Sequence, residues 1–303
     1  MSDGSIIVGF DGSEGSAQAL RWAAQAAKER GRTLEVITTW SMPSADLGIG
    51  AAGTLQAELI DELRQEATTS NDAGLALAAE LGANAVGEVL VGRTAAALVH
   101  HSEGAEMVVV GSHGSGGLTG YLLGGVSRQV ATHAQCPTVV VRPVESASHD
   151  IVVGVDGSPH SLKALEWAFE QASFSGMALH VLHSWEIPPT WSMVEVPSYE
   201  PEVLIRDYGN SELRETSEAM SGFRENFPDV KVRQEVMKGS PVKSLVKASE
   251  GAALLVVGSR GLGGFRGLLL GSVSHAMVHK AACPVAVVPC GCARRDSHLS
   301  GNA

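Results

Sequence analysis

The segment GSRGLGGFRGLLLGSVS, residues 258–274, directly follows the apolar run AALLVV at residues 252–257. An apolar run of this length that ends in glycine predicts a buried parallel strand, and residues 268–281 are predicted to form the next helix. The glycines would then lie on a strand-to-helix turn, where a backbone without side chains can approach a ligand and the helix N-terminus attracts anions. The pattern predicts a phosphate-binding loop, although a plain surface connection can have the same composition.

The same pattern occurs a second time, as GSHGSGGLTGYLLGGVS at residues 111–127, after EMVVV at residues 106–110. Other segments also repeat in the same order, such as IVGFDGS at 7–13 with VVGVDGS at 152–158, and CPTVVV at 136–141 with CPVAVV at 283–288. A long internal repeat indicates a duplicated structural unit. We therefore predict two tandem domains, at residues 1–146 and 147–291, and a C-terminal tail at 292–303.

Each half alternates apolar strand patterns with amphipathic helix patterns. Five strands alternating with four helices predict an α/β fold, in which right-handed crossovers build a doubly wound parallel sheet. Predicted boundaries include a helix at 14–30, long helices at 55–81 and 200–227, third strands at 85–91 and 230–236, and fifth strands at 137–141 and 284–288. The long connections at 41–54 and 186–200 are candidates either for closing over a ligand or for choosing a protein partner.

Both halves share the spacing G-x-x-G, nine residues, then G, and both have an Asp-Gly-Ser turn after the first strand. This spacing resembles that of the nucleotide-binding branch of the universal stress protein family, in its tandem form. The resemblance implies a strand order of 3-2-1-4-5 in each domain and ATP as the bound cofactor. The family pattern ends in Gly followed by Ser or Thr, which Gly271-Ser272 satisfies and Gly124-Gly125 does not.

Asp11 and Asp156 follow the first strand of each half. In the implied strand order, the carboxyl ends of the first and fourth strands form the topological switch point, where ligands bind. A carboxylate beside a triphosphate would repel it, so these aspartates fit the nucleoside end, accepting hydrogen bonds from ribose hydroxyls or a base amino group. The alternative is that Asp-Gly only forms a turn.

The resemblance, carried over position by position, implies one set of nucleotide-binding residues in each half. In the first half they are Gly9, Asp11, Gly111, Gly114, Ser115, Gly116, Gly117, Gly124, Gly125, Val126 and Ser127. In the second half they are Gly154, Asp156, Gly258, Arg260, Gly261, Leu262, Gly263, Gly264, Gly271, Ser272, Val273 and Ser274. The net charge of −11 does not attract ATP, so binding is expected to depend on local amides, cations such as Arg260, and Mg²⁺.

Composition excludes several classes of protein. The acidic balance argues against a nucleic-acid partner, and no apolar run reaches the roughly 18–20 residues of a membrane-spanning helix. The N-terminus has no basic signal-peptide region, so a cytoplasmic location is expected. The four cysteines, at 136, 283, 290 and 292, do not form a disulfide framework for so long a chain. Cys290-Gly291-Cys292 lacks zinc-ribbon spacing, and no metal site is predicted.

The sequence contains no P-loop lysine motif and no serine nucleophile elbow. No catalytic residue is therefore expected, and at most slow ATP hydrolysis. The leading hypothesis is an ATP-binding stress-response regulator whose nucleotide occupancy sets its conformation or its binding to an unidentified regulatory protein. The alternatives are a slow ATP hydrolase or adenylate-transferring enzyme on the same fold, or a structural dimerisation module with vestigial sites.

The fifth strand of each half is short, apolar and expected at a sheet edge, where an uncovered strand tends to pair with another. We predict that residues 137–141 pair with 284–288 across an intramolecular pseudo-twofold axis, as dimers of the family pair between chains. Whether the whole chain also forms a homodimer stays open. The second site is predicted to bind ATP more tightly, because Ser272 adds a hydroxyl where the first site has Gly125.

Overall fold

The computed structural model describes residues 4–42, 52–114, 123–143, 150–186, 201–262 and 269–291. The elements of the first half are β1 (Ile6–Gly9), α1 (Glu14–Arg30), β2 (Leu34–Trp40), α2 (Ala52–Glu80), β3 (Ala85–Val91), α3 (Thr94–His101), β4 (Met107–Gly111), α4 (Gly125–His133) and β5 (Thr138–Val141). Those of the second half are β6 (Asp150–Val155), α5 (Pro159–Ser175), β7 (Ala178–Trp185), α6 (Pro201–Asn226), β8 (Val232–Lys238), α7 (Pro241–Ser249), β9 (Leu254–Gly258), α8 (Ser272–Lys280) and β10 (Val285–Val288).

The strands form one ten-stranded sheet in the order β3-β2-β1-β4-β5-β10-β9-β6-β7-β8. Strands within each half are parallel, and the order 3-2-1-4-5 appears in the first half and again, mirrored, in the second. The predicted α/β fold of two tandem, doubly wound domains is thereby confirmed.

β5 and β10 join the two halves as the only antiparallel neighbours among the described strands. Val140 lies opposite Val285, Val139 opposite Ala286, and Thr138 opposite Val287. The pairing of the two fifth strands agrees with the sequence-based prediction. Because the joint is antiparallel, the strands of the two halves run in opposite directions.

Helices cover both faces of the sheet. Side chains at alternate positions along each strand point to opposite faces and fill two separate cores. Ile6, Val8 and Val109 pack on the face covered by α1, α2, α5 and α6, whereas Ile7 and Val108 pack on the face covered by α3, α4, α7 and α8. A parallel strand buried on both faces needs apolar residues at successive positions. This explains the unbroken apolar runs in the sequence.

The first helix of each half begins at a capping serine. Ser13 Oγ accepts the backbone N–H of Ser16, and Ser158 Oγ accepts that of Ser161, each at 3.2 Å. Pro159 occupies the first turn of α5, where its missing N–H costs no helical hydrogen bond. The predicted bounds of α1 are confirmed.

The helix after the second glycine loop is shorter than predicted. It begins at Ser272 instead of residue 268, because Gly271 has an extended backbone, with φ −71° and ψ 162°, and donates its N–H to the carbonyl of Ser259 at 2.7 Å. The predicted bounds of the third strand of the first half, 85–91, are confirmed, and the other predicted bounds differ by one to three residues. Most of the long connections predicted at 41–54 and 186–200 lies outside the described residues.

Two arginines of the first half, one buried and one half-buried, reach into the second. The guanidinium of Arg30, whose side chain is 0% exposed, pairs with Glu106, donates to Gln171 Oε1 at 2.6 Å, and lies 4.5 Å from the ring centre of Phe174. Arg142 donates to the carbonyl of Ala281 at 2.5 Å and to that of Val278, at the C-terminal end of α8. These contacts fix the relative position of the domains beyond the strand pairing.

Replacing Arg30 with Met is expected to lower the free energy of unfolding by about 1–3 kcal/mol, because the buried Gln171 Oε1 loses its donor while Glu106 keeps Arg32 at 2.7 Å. Arg21→Met is the matched control: Arg21 pairs with Glu14 at 3.3 Å on the surface, where the side chains are 49% and 73% exposed. Such an exposed pair contributes about 0–1 kcal/mol. Urea unfolding measures both variants, and equal losses would contradict the structural role of Arg30.

Candidate functional site

Two loops meet at the carboxyl ends of neighbouring strands in each half: the Asp-Gly turn after β1 or β6, and the glycine loop after β4 or β9. Gly12 and Gly157 both have φ +77°, a left-handed conformation that favours glycine. The turn is closed by the aspartate, because Asp11 Oδ1 accepts the N–H of Ser13 at 3.1 Å and Asp156 Oδ1 accepts that of Ser158 at 3.0 Å. Both aspartates therefore form a turn as well as lining the crevice.

In the second half, Asp156 connects the two loops directly. Its Oδ2 accepts the N–H of Leu262 at 3.0 Å, and a Cβ added at Gly261 would lie 2.3 Å from the same oxygen. Burial raises the pKa of Asp156, but hydrogen bonds from Ser158, Leu262 and Ser161 outweigh it and leave the pKa below its ordinary value. Asp156 is thus held as an ionised carboxylate at the crevice.

The first half repeats this arrangement with a more exposed aspartate. A Cβ added at Gly114 would lie 2.7 Å from Asp11 Oδ2, and Ser13 Oγ donates to Asp11 Oδ1 at 2.6 Å. Beside this turn an open cleft of about 550 Å³ extends to Glu66, Thr69 and Ser70 of α2. The last residue of each G-x-x-G motif, Gly114 or Gly261, must be glycine because the aspartate occupies the space of a side chain.

The helices that follow the glycine loops begin without a side-chain cap. Gly124 and Gly271 are the N-cap residues of α4 and α8, and their N–H groups donate to the carbonyls of Ser112 and Ser259 at 2.8 and 2.7 Å. The first amides of a helix have no acceptor within the helix and carry positive partial charge. A glycine cap leaves these amides open to an external anion.

Ser127 and Ser274 tie the starts of these helices to the preceding strands. Ser127 Oγ donates to the carbonyl of Gly111 at 2.6 Å, and Ser274 Oγ donates to that of Gly258 at 2.7 Å. Both side chains are buried. Their hydroxyl protons are therefore engaged inside the protein.

Four glycines in the predicted site are explained by packing. A Cβ at Gly111 would lie 2.5 Å from the carbonyl oxygen of Gly15, and one at Gly258 would lie 2.7 Å from that of His160. Gly9 and Gly154 similarly face Leu98 and Leu245, at 2.9 and 3.1 Å from an added Cβ. At these positions the missing side chain makes room for the protein itself.

The remaining predicted residues surround the two helix starts. Val126, Leu262 and Ser272 are exposed, Val273 is half-buried, and a Cβ added at Gly125 would meet no atom within 4 Å. Ser115, Gly116, Gly117, Gly263 and Gly264 lie outside the described residues.

Arg260 is exposed and donates from Nε to His160 Nε2 at 3.1 Å. Burial, followed by the charge of Arg260, lowers the pKa of His160, while Asp156 opposes the shift. His160 was not predicted as a site residue, and only its place in the first turn of the helix after the Asp-Gly turn could have suggested it. Gly15, in the corresponding turn of α1, was also missed.

The described part of the chain contains neither a metal-binding cluster nor a membrane-spanning helix. Among these residues, no group of three or more His, Cys, Asp or Glu side chains is arranged to hold a metal ion. None of the described helices is both long and apolar enough to cross a membrane.

Comparison with known proteins agrees with this architecture. The model of the universal stress protein family matches twice, at residues 4–142 and 148–289. A universal stress protein of Mycobacterium bovis is 36% identical, over 93% of this chain and 96% of its own length. One from Mycolicibacterium smegmatis is 33% identical, over 93% of this chain and 96% of its own.

The crystal structure of a universal stress protein from Archaeoglobus fulgidus superposes with a TM-score of 0.67 and 21% identity, covering 96% of this chain and 100% of that one. At this identity the likeness concerns the fold. The two family matches and the two mycobacterial relatives go further, since they extend over nearly the whole chain at 33–36% identity. The chain belongs to the universal stress protein family, in its tandem form.

Proposed function

We propose that this protein is an ATP-binding regulator of a stress response, with one nucleotide site at the switch point of each domain. The observation that carries the proposal is the pair of helix starts at Gly124 and Gly271, which have no side-chain cap. Each follows a loop with glycines at positions where a side chain would clash with other protein atoms. Helix N-termini of this kind bind phosphate groups through backbone amides. The same device at equivalent places in both domains supports a shared ligand.

The phosphate end of each site would be formed by the amides of residues 125–127 and 272–274. Ser127 and Ser274 would contribute amides alone, because their hydroxyls hold the strand ends. Ser272 is the first residue of α8 and is exposed, so its hydroxyl is available to a phosphate oxygen in addition to its amide.

The nucleoside end would be formed around Asp11 and Asp156. A carboxylate that stays ionised accepts hydrogen bonds and repels phosphate, so it orients the ribose and base away from the helix N-terminus. The low pKa of Asp156 supports this assignment in the second domain. In the first domain, the cleft between the Asp11 turn and α2 offers space for the nucleoside.

Mg²⁺ would accompany ATP mainly through the phosphates and water. Mg²⁺ in nucleotide sites is typically held by one or two carboxylates together with the phosphates. The described residues contain no three-ligand cluster that would hold the ion without the nucleotide. We therefore propose that the ion enters with ATP and offsets the acidic charge of the protein.

Regulation would follow from the two loops that meet at each site. Asp156 already joins the Asp-Gly turn to the glycine loop through the N–H of Leu262. A nucleoside that hydrogen-bonds to Asp156 would compete for the same oxygens and change the loop. ATP occupancy would thus select one loop conformation, which a regulatory protein can recognise.

The second site is proposed to be the tighter one. It has the Ser272 hydroxyl and the Arg260 guanidinium, which His160 holds beside the loop. Charge acts in the same direction, since residues 1–149 contain 8 Lys and Arg against 16 Asp and Glu, whereas 150–303 contain 14 against 17. A less acidic domain repels ATP less.

The first test blocks one site at a time. In Gly114→Glu and Gly261→Glu the added Cβ would lie 2.7 and 2.3 Å from Asp11 Oδ2 and Asp156 Oδ2, and the new carboxylate would add a negative charge to the loop. Each variant should lose one ATP site in calorimetric titration at fixed Mg²⁺, and the site that survives in Gly114→Glu should be the tighter one. Two sites in both variants would overturn the proposed location, and a tighter site surviving in Gly261→Glu would overturn the order.

The second test exchanges the residue that differs between the sites. Ser272→Gly, made in the Gly114→Glu background, should weaken ATP binding about ten- to a hundredfold, as expected for a hydrogen bond to a charged group worth about 1.5–3 kcal/mol. Gly125→Ser in the Gly261→Glu background should strengthen binding, since a side chain there meets no atom within 4 Å. No change in either exchange would show that amides alone determine the affinity.

The third test concerns the pH dependence of His160. Its NMR titration midpoint, assigned with His160→Gln, should lie below about 6.5, move upward in Arg260→Leu, and move downward in Asp156→Asn, because these changes remove a cation and an anion. Since the folded pKa is lowered, the unfolded chain binds more protons, and stability should fall as the pH drops below about 6.5. A midpoint unaffected by both variants would contradict the His160–Arg260–Asp156 arrangement.

A further inference from the structure

A cavity of about 160 Å³ lies between the two domains, where the end of β10 passes the start of β5. The first domain contributes Ala131, Ala134 and Cys136 to its lining, and the second contributes Pro289 and Cys290. Cys136 is buried and Cys290 is partly exposed, and both are in the thiol form. The cavity therefore brings two cysteines of different domains to one space.

The pseudo-twofold symmetry explains why this space is empty. Residues of the fourth helix and fifth strand are repeated after 147 positions, as Cys136 and Cys283 show. On the opposite side of the joint, Arg142 donates to the carbonyls of Val278 and Ala281, the counterparts of Ala131 and Ala134. The counterpart of Arg142 itself is Pro289, which is too short to reach. The cavity is the unfilled equivalent of the Arg142 position.

The register of the joint, extended past β10, brings the backbone of Cys290 next to that of Cys136. Val287 lies opposite Thr138, so continuing the antiparallel register by two residues places Pro289 opposite Cys136, with Cys290 next to it. Successive side chains of a regular strand point to opposite faces, but β10 ends at Val288 and Cys290 lies in the turn that follows. From this turn Cys290 lines the same cavity as Cys136.

We propose that Cys136 and Cys290 are an oxidation site, at which hydrogen peroxide forms a disulfide between the domains. The partly exposed Cys290 thiolate attacks one peroxide oxygen, so that an S–O bond forms, the O–O bond breaks and hydroxide leaves. The Cys136 thiolate then attacks the sulfenic sulfur, forming the S–S bond and releasing the oxygen as water. Two thiols and one hydrogen peroxide give one disulfide and two water molecules.

Only one side of the joint can form this disulfide, because the counterpart of Cys290 on the other side is Pro143. The remaining cysteine on that side is Cys283. It is 0% exposed, its thiol donates to the carbonyl of Pro284 at 3.4 Å, and burial raises its pKa to about 12. The reactive form of cysteine is the thiolate. Cys283 is the sequence counterpart of Cys136, so it serves as the internal control for a packed, unreactive cysteine.

The position of the disulfide gives the reaction a structural effect. The same cavity is lined by Ser259, Arg260 and Leu269 from the segments on either side of the second glycine loop. A bond between Cys136 and Cys290 would close the cavity and fix these segments against α4. The existence of the disulfide is independent of nucleotide binding, and its effect on ATP affinity in the second site rests on the proposed function.

The test uses the reduced full-length chain, treated with one equivalent of hydrogen peroxide after removal of thiol reagents. Titration of thiols in denaturant should fall from four to two per chain, and dithiothreitol should restore four. Trypsin releases Cys136 in peptide 129–163 and the other three cysteines together in peptide 281–294. The expected product is a disulfide between these two peptides, with fragmentation assigning it to Cys290.

Single Cys→Ser variants identify which two cysteines form the disulfide. Cys283→Ser and Cys292→Ser should still form the cross-link, whereas Cys136→Ser and Cys290→Ser should lose it. In Cys136→Ser, the sulfenic acid of Cys290 should be trapped by dimedone. A disulfide within peptide 281–294 as the main product, or oxidation to sulfinic acid without any cross-link in the wild-type chain, would overturn the proposal. The wild-type peptide map decides this even where a variant folds poorly.

Discussion

The antiparallel pairing of β5 and β10 is the contact on which the rest of the structure depends. Each half alone would end in an apolar edge strand, since all four residues of β5 and of β10 are buried. Such an edge pairs with whatever strand it meets. Pairing within the chain makes one continuous sheet and removes this hazard. It also brings Arg30 and Arg142 against the second domain, where their contacts are specific to this arrangement of the halves.

Duplication preserved the backbone of the site more strictly than its side chains. Both halves keep the positive-φ glycine of the Asp-Gly turn, the glycine against the aspartate and the serine that ties the helix to the strand. They differ at Gly125 and Ser272, and at His113 and Arg260. The shared features define the crevice, and the differing ones adjust its charge and hydrogen bonding. A duplicated protein can in this way have two sites of the same shape and unequal affinity.

The fold could be predicted from the sequence because apolar runs, glycine loops and the repeat all indicate the same architecture. The start of α8 could not, since apolar residues continue through 268–270 and only the extended backbone of Gly271 sets the boundary. The glycines of the site were found, but their reasons were only partly predicted: Gly9, Gly111, Gly154 and Gly258 face protein atoms that come from distant segments. His160 and Gly15 were missed for the same reason, because their contacts depend on how the first helix packs on the fourth strand.

The opposite strand directions of the two halves have a geometric consequence. The carboxyl ends of parallel strands all lie on the same side of a sheet. An antiparallel joint therefore puts the two switch points on opposite sides, each at the carboxyl ends of its own strands. One ligand cannot bridge both crevices, and two binding partners approaching them would not collide. Any influence of one crevice on the other has to pass through the strands and the packed helices between them. The two candidate sites of the protein thus face in opposite directions.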